Sequence, residues 1–194
     1  MIGPLRNLYG GALVCRIPQE FDDLSDLLPI PDHQEVFVHH SNNVTRDKST
    51  NDGETSDYVL SFEILEQVGK ENEALARYLF DDLAYSNEAT HKRFMTYQHL
   101  KTSSETGAEN SEAILATGIM DVAKGLGTHR GPARRTSVFL YIWRLPERKS
   151  DILVSYHFPF DETGVDGDQQ LSLFKAMVNT LTIRDITLFE PRPE

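Results

Sequence analysis

Cysteine is nearly absent from this chain: Cys15 stands alone among 194 residues. No intramolecular disulfide can form and no zinc site built on paired cysteines is possible, a usage that suits a reducing compartment. Long apolar runs are missing too. Nothing approaches the roughly 20 consecutive apolar residues that span a bilayer, and the opening Met-Ile-Gly-Pro-Leu-Arg has no signal-peptide pattern. Positive charge is scarce, with 19 Lys and Arg against 30 Asp and Glu and a net charge of −11. Such a surface disfavours nucleic acid and anionic membrane as partners and favours a basic protein surface. The pairs Lys92-Arg93 and Arg134-Arg135 are too short for a nuclear import signal.

Catalytic signatures are also lacking. The chain contains no His-Glu-x-x-His and no Gly-x-Ser-x-Gly. His39 and His40 follow one another in a strand, so their side chains point to opposite faces. Glu35 and His39 share a face but stand roughly 13 Å apart along it, too far to bind one ion together. Gly125 to Gly131 has neither the Lys-Ser/Thr of a phosphate loop nor dinucleotide-site spacing, and reads as a basic glycine loop. No cofactor and no metal are expected.

What is present is ordinary globular composition, 39% hydrophobic and 25% charged, in a length that suits one domain over residues 1–194. Leu13, Cys15 and Ile17 alternate with Val14 and Arg16, which predicts a strand ended by Pro18 and a buried Cys15. Residues 21–28 read as a short helical turn with Asp22 and Asp23 near its N-terminus. Alternation predicts strands over 34–39, from Tyr58 to Leu65, over 92–100 and over 114–123, the last with Gly118 as a possible bulge. A helical period begins at Glu71 and puts Leu75, Tyr78, Leu79 and Leu83 on one face. A second follows residue 167, with Leu171, Phe174, Val178 and Leu181 in helical register.

Val138 to Leu145 is apolar on both parities and must be covered on both faces. Its short link to residues 152–158 implies an antiparallel hairpin. Polar stretches 41–57 and 101–112 read as mobile loops, and 190–194 as a frayed tail. The inventory predicts an α+β chain: one α/β/α sandwich whose mostly antiparallel sheet has six or seven strands, with helices on both faces.

The stretch that organises the chain is residues 28–38, Leu-Pro-Ile-Pro-Asp-His-Gln-Glu-Val-Phe-Val. Pro29 and Pro31 fix φ and push Leu28 and Ile30 toward extended geometry, ending the turn before them. Asp32 and Glu35 therefore stand at a stiff loop-to-strand junction, either as local turn and strand-end charges or as presented carboxylates.

Residues 23–37 resemble the signature of the Ran guanine nucleotide release factor family, small nuclear-transport proteins that bind the GTPase Ran. Leu8-Tyr-Gly-Gly, Ile17-Pro18, the 76–81 block Ala-Arg-Tyr-Leu-Phe-Asp, Arg144-Leu-Pro146 and the 180–185 block Thr-Leu-Thr-Ile-Arg-Asp resemble further family segments in the same order. The resemblance implies a fold shared with the PsbP-like extrinsic subunits of photosystems, and a monomer that works in nucleus and cytoplasm. It also implies Ran as partner and Asp32, Glu35 and Asp26 as Ran-binding residues. Asp32 and Glu35 are expected to be removable without loss of the fold. His33 departs from the Asn associated with that position. A binding module of the same fold with another partner, or a hydrolase with a dispersed site, would be the alternatives.

Overall fold

The computed structural model describes residues 2–26, 29–41, 56–100, 112–123 and 132–190. Among these described residues ten strands and two α-helices follow in order: β1 Leu5–Leu8, β2 Leu13–Arg16, β3 Asp22–Asp23, β4 Gln34–Ser41, β5 Ser56–Glu66, α1 Asn72–Ser86, β6 His91–Leu100, β7 Glu112–Ala123, β8 Ala133–Leu145, β9 Ser150–Pro159, α2 Val165–Val178 and β10 Thr182–Ile183. Seven strands form one antiparallel sheet in the order β3-β4-β5-β9-β8-β7-β6, and β1-β2-β10 form a second, three-stranded one.

The doubly apolar strand is buried as its pattern demands. Val138, Leu140 and Ile142 of β8 pack against Leu75, Ala76, Leu79, Phe80 and Ala84 of α1. Phe139, Tyr141 and Trp143 on its other face join Phe174, Met177 and Val178 of α2 and Leu13, Cys15 and Ile17. One helix thus covers the first face, while α2 and the small sheet share the second. Burial pushes the Cys15 thiol up to about 12, so it acts as a small hydrophobe. The β8–β9 hairpin turns at Lys149, whose φ of 51° lies in the left-handed region.

Several local expectations change. Residues 22–23 are not the start of a helix: they pair with Val38 and Phe37 as an edge strand, and the helical part shrinks to a 3-10 turn over Leu24–Asp26. The short sequence Asp-Asp supplies backbone to an open sheet edge, which satisfies more hydrogen bonds than an isolated turn. On α1 the buried face is Leu75, Ala76, Leu79, Phe80 and Ala84. Tyr78 is exposed, with the Lys70 ammonium over its ring.

Gly118 is regular in β7; the irregularity lies opposite, between Phe94 and Thr96 of β6. A Cβ at Gly118 would stand 2.4 Å from the Phe80 ring, so the position is a close approach of helix to sheet. The ends of the expected loops are strand: Ser41 pairs with Ser56, and Glu112 with Arg144. Residues 42–55, 101–111, 124–131 and 191–194, where the two loops, the glycine loop and the tail were expected, lie outside the described residues.

Candidate functional site

The proline-stiffened junction ends in a tight turn in which the Gln34 N–H donates to Pro31 O at 2.9 Å, and β4 begins at once. Asp32 and His33 are the turn residues, and both are exposed. Asp32 is therefore presented outward on a short rigid support. Asp26 ends the 3-10 turn on the other side of the prolines; its side chain lies outside the described residues.

Glu35 is held differently. Its Oε1 accepts the Tyr9 backbone N–H at 2.7 Å. Tyr9 (φ 50°), Gly10 (φ 66°) and Gly11 (φ 98°) all lie in the left-handed region, where a non-glycine residue such as Tyr9 is strained. The family-like Leu8-Tyr-Gly-Gly block is thus a turn whose first orphan N–H is capped by a carboxylate 26 residues later. The Tyr9 hydroxyl completes the clamp, its single proton shared between Phe62 O at 2.8 Å and His33 O at 3.0 Å. Ile64 N–H also donates to His33 O, at 3.0 Å. Turn, β4 and β5 are pinned together around the acidic junction. The expectation that Glu35 does no structural work is therefore corrected: it lies on the Phe37 parity and is half-buried.

Register brings further carboxylates to the same place. Asp23 pairs with Phe37 and so joins the Glu35 face of β4, while Glu63 pairs with Gln34 and backs the junction from the opposite, α1-facing side of the sheet. The Gln34 Nε2 donates to Glu63 Oε2 at 3.2 Å. Desolvation raises the Glu35 carboxyl above its ordinary value; the Tyr9 N–H opposes this and the Asp23 charge adds to it. Burial raises Glu63 as well, against hydrogen bonds from Gln34 and Ser61. Burial lifts the Tyr9 phenol, assisted by the charges of Glu35 and Glu63. This is a concentration of negative charge with restricted access to water, and its complement is a cationic group.

Sequence reasoning did not find Tyr9, Asp23 or Glu63 as parts of this site. Tyr9 was visible only as a member of the Leu8-Tyr-Gly-Gly block. Glu63 became a neighbour of Gln34 through a strand register set across residues 42–55, which no local pattern encodes. Among the described residues no group of three or more His, Cys, Asp or Glu is placed to hold a metal ion, and no helix is long and apolar enough to cross a membrane.

Residues 6–159 match the family described as Ran-interacting Mog1 protein. The chain is 30% identical to the Ran guanine nucleotide release factor of Bos taurus over 95% of each chain. It is 26% identical to nuclear import protein mog1 of Schizosaccharomyces pombe, covering 80% of this chain and 77% of that one. The crystal structure of the Saccharomyces cerevisiae Ran-binding protein Mog1p has the same fold, with a TM-score of 0.69 at 20% identity over 97% of this chain and 99% of that one.

Proposed function

This chain belongs to the Ran-interacting Mog1 family, and from that premise we propose that it binds the GTPase Ran and promotes release of its guanine nucleotide in nucleocytoplasmic transport. The observation that carries the reading is the family match across residues 6–159, which takes in the whole acidic junction. We read residues 1–194 as one domain that acts as a monomer in nucleus and cytoplasm.

Such a factor needs no bond-making group. It must bind nucleotide-free GTPase better than the loaded form, because a ligand shifts an equilibrium only by its differential affinity. A loaded GTPase holds phosphates and Mg²⁺ with a P-loop lysine and backbone N–H groups. A carboxylate on a rigid support can partner that lysine, or crowd the phosphates, as the nucleotide leaves. Asp32 is the outward-facing candidate. Glu35 lends charge while holding the platform, and Asp26 is the third proposed Ran-binding residue.

The test is release of labelled GTP from Ran. Release should accelerate in the presence of this protein, intact GTP should be recovered, and association should slow with added salt as exposed charges are screened. No effect at micromolar concentrations on loaded or empty Ran would overturn the reading. Asp32→Ala should weaken Ran binding by about 2–5 kcal/mol while changing stability by less than about 0.5 kcal/mol. Glu35→Ala should weaken binding and also destabilise the fold by about 1–3 kcal/mol, because the Tyr9 N–H loses its acceptor. Calorimetry and thermal unfolding on the same samples separate the two.

A further inference from the structure

α1 covers only part of the sheet face it packs on. Beside it, β4, β5 and β9 floor a cavity of about 270 Å³. Val36, Val59, Leu65 and Leu153 from the sheet, with Leu79 and Leu83 from the helix, supply apolar wall. Between them runs a line of polar groups. Ser61 donates to Glu63 Oε1 at 3.4 Å, Ser61 and Ser155 lie 2.7 Å apart, and Ser155 lies 3.2 Å from His157 Nε2. Ser61 and Ser155 are 8% and 1% exposed. Buried hydroxyls bring a desolvation cost that alanine or valine would avoid, so a core alone gives no reason for them.

The carboxylate sets the direction of the chain. With the Ser61 proton on Glu63, the Ser61–Ser155 bond uses the Ser155 proton, and the Ser155 oxygen then accepts from His157 Nε2–H. The neutral imidazole is left with Nδ1 as an acceptor. Burial draws His157 down to about 4, which keeps it neutral near pH 7. Glu63 lines the cavity and Asp82 stands exposed at its side. No lysine or arginine among the described residues lines it. The amide donors of Gln34 and Asn87, which also line it, are turned to Glu63 Oε2 and Leu83 O. Negative charge, acceptors and an aliphatic wall therefore suit an occupant with donors, positive charge and a hydrocarbon stem.

We propose that this cavity binds a primary ammonium group carried on a short aliphatic chain, with the ammonium at Glu63 and the stem along Val59, Leu79 and Leu83. The inference does not rest on the GTPase reading. Both a free small amine and a lysine side chain of a bound protein have this chemistry.

The experiment is a titration of the full chain with n-butylamine, sodium butyrate and butanol at fixed ionic strength, following the His157 imidazole and Glu63 carboxyl signals by NMR. A probe of this size limits affinity to the order of millimolar. n-Butylamine should shift both signals saturably and butyrate should not. Glu63→Gln should weaken the amine roughly tenfold or more, because a charge-assisted bond is lost. Ser86→Lys, at the exposed end of α1, should block the probe with an ammonium of its own while thermal unfolding stays unchanged. Equal shifts from amine and butyrate, or unchanged amine binding in both variants, would overturn the proposal. Repeating the titration with Ran bound assigns the source. Loss of the amine response places a partner lysine in the cavity, and its persistence leaves a free amine as occupant.

Discussion

On the α1-facing surface of the large sheet, β7 and β8 present Ile114, Ala116, Val138, Leu140 and Ile142 to the helix. Next to them in the sheet, β9 and β5 present Ser61, Glu63, Ser155 and His157 to a cavity. The two halves share strand geometry, yet one is closed by close packing and the other is lined by a hydrogen-bonded chain. Packing of the first kind is strong and intolerant of change, because interiors are as dense as crystals. The second contributes little net stability when intact. It is therefore free to hold a ligand.

The largest expected effect lies where the halves meet. Asp151 is 1% exposed and takes both Arg144 Nε (3.0 Å) and Nη2 (2.9 Å), while the same guanidinium donates to Lys70 O and Val68 O ahead of α1. Asp151→Ala should cost about 3–5 kcal/mol in denaturant unfolding, since it leaves a largely buried cation unpaired. Leu140→Ala, in the packed half, should cost about 2–5 kcal/mol. Gly118→Ala should cost about 1–3 kcal/mol by forcing the Phe80 ring aside. Removing both hydroxyls together, Ser61→Ala with Ser155→Ala, should change stability by about 1 kcal/mol or less. A loss as large as that of Leu140→Ala would erase the contrast between the halves.

The effects of pH have opposite signs within the polar half. His157 falls from 6.5 to about 4 on folding. Its contribution is present above 6.5 and is lost as the pH falls toward 4, where the unfolded chain binds a proton that the folded one refuses. Glu63 is raised from 4.5. Its contribution is full below that value and is lost as the pH rises through the higher folded value. His157→Gln should flatten the fall in Tm between pH 6.5 and 4. Glu63→Gln should raise Tm at neutral pH and remove the decline above 4.5. Unchanged Tm profiles in both variants would mean that neither group is desolvated.

What the sequence made legible follows from period and punctuation. The double parity of residues 138–145 required two covered faces, and both are covered. Pro29 and Pro31 marked the junction, and the turn is where they put it. Three things depended on register instead. The split into two sheets, the burial of Phe80 rather than Tyr78, and the arrival of Tyr9 and Asp23 beside Glu35 all arise from contacts between distant strands and helices. Tyr78 illustrates the physical point. It shares the helical stripe with Leu75 and Leu79, but Gly118 leaves room in the sheet for Phe80 one step round the helix.

The small sheet has a consequence for the order in which the protein is made. β2 is flanked by β1, from the start of the chain, and by β10, some 165 residues later, which pairs Thr182 with Val14 and Ile183 with Leu13. Arg184 and Asp185 N–H groups then close on Ala12 O, at the end of the Tyr9 turn. During synthesis β2 waits at an open edge until residues 182–185 emerge, and long-range closure of this kind comes late in folding. The turn that Glu35 caps is thus sealed by a segment translated long after it. A nascent or truncated chain can build the large sheet without firmly seating the acidic junction, so partial products should compete poorly with the finished protein for a partner.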